Sequence, residues 1–427
     1  MLNKNSEREL AYVVLIDAIE PIQGSDNCEC AVVGGWHVMV RKGEFCPGDP
    51  AIYFEIDSKL DADNPAFAFM ASKKYRVKTQ KYTFGGKGNF ISQGLVMSAD
   101  NFGWTVANPC NHPHCQSDNC NTCNHSKLCI VDDKGNHHYA NDESRFLTKY
   151  LNITYYVVED NDRKAPSVDK YQKMINRNPD LMKNRFFRWL YKRSFGKKIL
   201  FFFFGKKNVR VWPEWVSKTD EERVQNMPWI LKNKDPWIVT EKIDGSSATY
   251  TMKRGPAKYL WNIPKNEFYV CSRNVVFETP DKPCFYTNNI YWEIAEKYHI
   301  KNVLEDILRE HPEWDWVTIQ GEIYGPKVQK RDYSKKEHDF AAFNFITSKT
   351  GRLNSIKARG FIGAYGIPWV PILYGDYILP DSVDQLLAAA EGNSVIDGGP
   401  REGWVLRAQD GGQSFKAVSN SFLLKFH

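Results

Sequence analysis

The sequence predicts an α+β protein, with a small β-barrel at the N-terminus followed by a domain of strands carrying an amphipathic helix. Three observations carry this expectation. Apolar and polar residues alternate in short runs over the first hundred residues, and Gly, Pro and Asp turns separate the runs. Beyond Pro236, apolar strand-like segments meet charged residues at Lys242, Glu322 and Glu402, the two acids each beside a glycine. Between Asn289 and Leu308 the period changes, and Ile290, Ile294, Tyr298 and Ile300 to Leu304 fall at helical spacing, predicting one amphipathic helix on the later sheet.

The length of 427 residues allows two or three domains with real cores, and 42% hydrophobic with 14% aromatic residues is globular and rich in rings. A net charge of +6 is compatible with a polyanionic partner without proving one. The N-terminus, Met1-Leu2-Asn3-Lys4-Asn5-Ser6-Glu7-Arg8, is polar and does not read as a secretory signal. The longest apolar stretch, Ile199 to Phe204, is far below the ~20 residues that span a bilayer. An intracellular, soluble, cytoplasmic protein is the expectation, and a monomer.

In chain order, residues 1–105 contain the strand candidates Tyr12–Ile16, Cys30–Val33, Trp36–Val40 and Ala51–Ile56, whose regular spacing suggests the small barrel. Residues 106–130 form a Cys/His-rich insertion. Ten cysteines in a cytosolic chain argue against a disulfide framework, and Cys120-x-x-Cys123 has the spacing of a zinc knuckle. Thiolates and imidazoles suit tetrahedral Zn²⁺, with Cys110 and Cys115 the first choice of further ligands and His112, His114, His125 and Cys129 their competitors. Such zinc would be structural.

Residues 131–217 form a basic aromatic connecting region in which Lys183 to Arg210 interleave rings with Lys and Arg. Such a run can bind single-stranded nucleic acid by charge and stacking, or it can be a buried strand and helix with solvated lysines outside. Residues 218–427 hold the segments that carry chemistry. Thr240-Glu241-Lys242-Ile243-Asp244-Gly245 comes first, followed by Cys271-Ser272-Arg273-Asn274, Gln320 to Gly325, Asp339 to Phe345, Arg401 to Leu406 and Ser414-Phe415-Lys416-Ala417.

A lysine attacks phosphorus only as the free amine, which neighbouring cations, a metal and desolvation favour by lowering its pKa. Charge that develops on a phosphate needs fixed cations, for which Arg273 and Lys416 are available. Mg²⁺ or Mn²⁺ prefers oxygen ligands, and Asp244, Glu322 and Glu402 are the carboxylates on offer, partly through water. Glu322 and Glu402 each close an apolar strand beside a glycine, where an acid without a charged partner is costly, and this favours a functional role over a structural one.

The ordered array resembles the nucleotidyltransferase superfamily of polynucleotide ligases and mRNA-capping enzymes, over the residues from Pro236 to the C-terminus. The resemblance implies a nucleotidyltransferase (adenylyltransferase) domain of antiparallel sheets flanked by helices, in which Lys242 becomes covalently attached to AMP from ATP. It also implies that Phe343 stacks on the purine and Glu241 reads the adenine edge. Ile243, beside the lysine, joins the ATP-binding set with Arg273, Glu322, Glu402 and Lys416. Gly34 to Leu60 and Ile91 to Leu95 are similar to the OB-type domain that precedes the ligase domain in one group of RNA ligases, and Lys218 to Asn226 is similar to their pre-motif segment, which carries Arg223 over as a phosphate contact.

One departure is visible. The family's last motif commonly carries two lysines separated by one residue, whereas Lys416 is followed by Ala417 and Val418, leaving Lys425 or another cation to supply the second charge. An OB-like domain at the N-terminal end, with eleven residues after Lys416, points to RNA joining rather than to DNA ligases or capping enzymes. The implied activity is ATP-dependent joining of 5′-phosphate and 3′-OH RNA ends through lysyl-AMP and adenylylated RNA, in RNA repair. A capping or DNA-ligase-type nucleotidyltransferase, or an RNA-binding protein with a decayed ligase core, are the alternatives.

Overall fold

The computed structural model describes residues 1–4, 7–84, 88–107, 128–156, 171, 174–175, 179–204, 212–255, 266–280, 284, 286 and 288–426. Cys110, Cys115, Cys120 and Cys123, with His112, His114 and His125, lie outside these residues. Cys129 is described: it is buried, and its sulfur lies 3.3 Å from His137 Nδ1.

The N-terminal part is a set of short antiparallel strands. Ala11–Leu15, Pro50–Phe54 and Leu95–Met97 form one sheet, Ala18–Pro21, Cys28–Val33 and Trp36–Arg41 a second, and Thr79–Thr83 pairs with Asn89–Gln93. The four strands expected here occur within a residue or two of their expected ends. Alternate side chains, including Tyr12, Ala31, Val33, Trp36, Val38, Ala51 and Tyr53, fill the space between the sheets. The other face of Ala11–Leu15 and Pro50–Phe54 meets a second core of Val13, Ile52, Phe54, Phe67 and Leu147.

Two larger sheets follow. One has five strands in the order Glu222–Arg223, Ser414–Val418, Gly403–Ala408, Trp237–Lys242, Ile372–Tyr377. The other has six, in the order Val276–Phe277, Glu267–Cys271, Ser246–Lys253, Trp316–Tyr324, Asp339–Thr347, Gly351–Arg352. All pairings are antiparallel except Glu222–Arg223 beside Ser414–Val418. Helices cover the six-stranded sheet, and the core between them holds Tyr250, Ile294, Leu304, Ile319, Phe340 and Phe345.

Two expectations are corrected. The single helix over Asn289 to Leu308 is two, Ile290–Lys297 and Ile300–Glu310, because His299 adopts a left-handed backbone with φ 49° between them. Within the basic aromatic region, the run of rings and basic residues from Lys183 forms no strand among the described residues; it forms the helices Arg185–Tyr191 and Ser194–Phe204.

The two parts of the molecule are joined by buried polar contacts. Gly35 N donates to Gln225 O (2.8 Å), Trp36 Nε1 to Asn226 Oδ1 (2.6 Å), and Asn226 Nδ2 to Glu55 Oε1 (2.7 Å). Val418 and Leu423 pack into the N-terminal core. Among the described residues no helix is long and apolar enough to cross a membrane.

Candidate active site

Lys242 is the last residue of Trp237–Lys242, and Ser246 is the first of the next strand, which belongs to the other large sheet. The segment Ile243-Asp244-Gly245 therefore crosses between the sheets, and Lys242 stands where they part. Gly245 is required there by close approach: a Cβ would lie 2.3 Å from the Ile323 carbonyl oxygen.

A cleft of about 870 Å³ opens at this point, within the range of small-molecule sites. Its walls include every residue named from sequence for ATP and for Mg²⁺ or Mn²⁺: Arg223, Glu241, Lys242, Ile243, Asp244, Arg273, Glu322, Phe343, Glu402 and Lys416. Glu322 lies near the end of Trp316–Tyr324, opposite Ser247. Glu402 precedes the strand Gly403–Ala408 and does not close one, which corrects the expectation for that residue. Phe343 is the extra residue of a β-bulge, since Gln320 pairs with Asn344 while Gly321 pairs with Ala342. A bulge re-aims its side chain, and here the ring reaches the cleft.

The electrostatics centre on Lys242. Its Nζ lies 2.7 Å from Glu402 Oε1. Burial disfavours the charged amine, but Glu402, Glu322 and Asp244 outweigh it, so the Lys242 pKa is raised. The charges nearest the amine are thus carboxylates rather than cations, and burial acts in the direction that a nucleophile needs. Those carboxylates show the reciprocal crowding. Burial, with the charge of the other acids, pushes Asp244 up to about 7 and Glu322 up to about 8. Glu402 Oε2 is buried without a hydrogen-bond partner among the described residues. An oxygen-only set with an orphaned carboxylate oxygen fits a hard divalent cation. Among the described residues, however, no three acid, His or Cys side chains converge on one metal position, so a cation would be held by fewer direct ligands and by water.

A second group of charges surrounds Asp220, which was not singled out from sequence. Asp220 Oδ1 lies 3.3 Å from Lys416 Nζ, and Asp220 Oδ2 pairs with Arg273 and, at 3.5 Å, with Arg8. Burial opposes its charge, yet Lys416, Arg8 and Arg273 hold its carboxyl well below the usual range. Burial, and then Arg8, lower the Lys416 amine to about 8. Arg8 lines the cleft, while Lys425 does not. Val418, at the place of the absent second lysine, is buried in the N-terminal core.

Glu241 is buried, and its Oε2 accepts from Val395 N at 2.9 Å, leaving Oε1 without a partner among the described residues. Burial raises its pKa. Arg223 is buried with Nε and Nη1 unpartnered among the described residues, and its Nη2 is 3.6 Å from Asp57. Arg407 was missed from sequence. Its guanidinium sits 5.7 Å from the Phe343 ring centre and donates to Thr240 Oγ1 (3.1 Å). The signal was available: in Gly403–Ala408, Trp404 and Leu406 face the core, so an arginine in register with Val405 faces the cleft. Asp57, Arg76, Tyr155 and Tyr156, also cleft residues, carried no such signal.

A family model described as RNA ligase matches residues 235–418, and an OB-fold domain model matches residues 10–99. Solved structures similar to this chain include an RNA ligase of Naegleria gruberi with pyrophosphate, at 25% identity and TM-score 0.65, covering 98% of this chain and 99% of that one. Two variants of that ligase with ATP and manganese match at 26% identity and TM-score 0.65, covering 98% and 99%, and at 25% and 0.63, covering 98% of each chain. Comparison with curated proteins gives no match.

Proposed function

We propose that this chain, which belongs to the RNA ligases with an N-terminal OB-fold domain, seals RNA ends bearing a 5′-phosphate and a 3′-OH at the expense of ATP. The observation that carries the reading is the convergence on one cleft of a strand-end lysine, three carboxylates, a bulge-borne ring and a cluster of cations.

In the first step Lys242 Nζ attacks the α-phosphorus of ATP, a P–N bond forms, and pyrophosphate leaves. In the second, AMP passes to the 5′-phosphate of RNA and the lysine is regenerated. In the third, a 3′-OH attacks the activated end and expels AMP. Phe343 stacks on the adenine with Arg407 near its ring, and the unpartnered Oε1 of Glu241 accepts from the base edge. Arg223, Arg273 and Lys416 hold phosphate oxygens; Arg273 and Lys416 exchange Asp220 for them. Mg²⁺ or Mn²⁺ at Asp244, Glu322 and Glu402 would neutralise the carboxylates that raise the Lys242 pKa and offset phosphate charge. The ATP and manganese in the similar Naegleria structures support this cofactor assignment. Positioning and charge neutralisation supply the acceleration, since displacement at phosphorus asks little covalent chemistry of the protein.

The test offers the protein ATP, Mg²⁺ and a nicked duplex with a labelled 5′-phosphate, with the 3′-OH strand ending in RNA or DNA. Sealing that requires a ribonucleotide end is expected. Equal sealing of DNA ends would assign the chain to DNA joining. Lys242→Ala should form no covalent AMP, and labelling by GTP in preference to ATP would favour a capping reaction.

A further inference from the structure

The helix Arg185–Tyr191 uses its apolar side inside the protein and still carries large rings outside. Phe187, Leu190 and Tyr191 pack against a small core of Met174, Ile175 and Leu200. The opposite side should be polar in a helix that has already buried its stripe. Instead Phe186 is 60% and Trp189 50% exposed, and their rings stack with centroids 6.1 Å apart at 25°. Phe195, which follows in the helix Ser194–Phe204, is 72% exposed. The angle between the two helices is fixed by close contact, because a Cβ on Gly196 would lie 1.9 Å from the Leu190 carbonyl oxygen.

The charges that this helix presents have one sign. Arg185, Arg188, Lys192 and Arg193 share the exposed side, and Arg193 lies 4.2 Å over the Trp189 ring. From Lys183 to Trp212 the sequence contains no Asp or Glu. Lone exposed lysines on a helix are ordinary solvation; exposed stacked rings flanked by arginines, in a stretch of sequence that holds no acid, are not. The ligand such a face complements is a polyanion with flat faces of its own.

We propose that the exposed face of Arg185–Tyr191, built on Phe186 and Trp189 and flanked by its Arg and Lys residues, is a docking surface for single-stranded RNA outside the catalytic cleft. None of its residues lines that cleft. Unpaired bases stack on the rings, and arginine and lysine follow the phosphates. An anionic bilayer fits less well, since it needs a continuous apolar stripe and this helix has turned its stripe inward onto Leu200. The inference rests on RNA being the substrate, but its test does not depend on sealing.

The experiment measures fluorescence anisotropy of labelled oligouridylate with the full chain, with Phe186→Ala/Trp189→Ala and with Arg188→Gln/Lys192→Gln, over a range of salt. Lysyl-AMP formation is followed in parallel as a readout of the cleft. The ring variant is expected to bind roughly tenfold or more weakly per ring lost. The charge variant should flatten the plot of log K against log salt by about 0.7 per charge removed. Lysyl-AMP formation should stay as in the wild type. If the ring variant does not fold, the charge variant decides by its salt slope alone. Unchanged RNA binding in both variants, or a wild type that binds no RNA, overturns the proposal. Loss of binding to phosphatidylserine vesicles with RNA binding intact also overturns it and assigns the face to lipid. A wild type that forms no lysyl-AMP, with RNA binding still lost in the variants, would retain the docking face and defeat the ligase reading.

Discussion

At the scale of single residues, Lys416 is the group whose ionisation has the clearest consequence. Its amine is lowered to about 8 by burial and by Arg8, against about 10.4 in an unfolded chain. Between these values the unfolded chain binds more protons than the folded one, so this group's contribution to stability rises with pH across that window. In the proposed role at phosphate, Lys416 responds in the opposite sense, because only the charged amine attracts phosphate. The kcat/KM for lysyl-AMP formation should therefore fall as pH rises past about 8, and Lys416→Arg should flatten that limb. A limb unchanged in the arginine variant would remove Lys416 from the phosphate site. Phe343 gives a second residue-scale expectation. Phe343→Ala should raise the Kd for ATP by roughly tenfold or more, since loss of base stacking costs about 1–3 kcal/mol, and Phe343→Trp should restore it. An equal loss in both variants would mean that the ring serves the fold and not the base.

Among elements, the crossing from Trp237–Lys242 to Ser246–Lys253 sets the spacing of the site. Gly245→Ala places a methyl 2.3 Å from a backbone oxygen of Trp316–Tyr324, and 2.8 Å from Glu322 Cγ, and backbone cannot yield as a flexible side chain does. The strand bearing Glu322 must move from Lys242. A shift near 1 Å costs on the order of 100-fold in rate, read as single-turnover lysyl-AMP formation, with the thermal midpoint lowered as well. Normal adenylylation in this variant would show that the close approach is incidental. The elements carrying this geometry were legible in sequence because the candidate residues sit in a few consecutive positions at a strand end, as in Glu241-Lys242-Ile243-Asp244. What was not legible depends on approach between distant elements. Asp220 lay within the quoted segment Lys218 to Asn226, yet only the fold brings it to Lys416 and Arg273. The left-handed turn at His299 is different: the stripe of Ile290 and Ile294 does not run in phase with that of Ile300, Val303, Leu304 and Ile307, so the sequence held a sign of the break that a single-helix reading passed over.

Across the whole molecule, the N-terminal domain belongs to the electrostatics of the cleft through one buried chain of contacts. Glu55 is fully buried, accepts from Tyr12 Oη (3.1 Å) and Asn226 Nδ2 (2.7 Å), and pairs with the Met1 α-amine and with Arg8 at 3.0 Å. Arg8 in turn reaches Asp220, and Asp220 holds Lys416 and Arg273. Glu55→Gln preserves shape but strips Arg8 of its nearest carboxylate. A buried charge deprived of its partner costs about 3–5 kcal/mol, so a marked fall in the denaturation midpoint is expected. The same change leaves Arg8 leaning on Asp220 and competing with Lys416 and Arg273 for it, so the kinetics of adenylylation should change beyond what instability explains. A double-mutant cycle with Asp220→Asn separates the two effects. Coupling above about 0.5 kcal/mol in single-turnover adenylylation, measured well below the midpoint of each variant, means that charge placement in the OB-fold domain sets the phosphate clamp. Additive effects would confine Glu55 to holding the domains together and make Arg8 a bystander at the edge of the cleft.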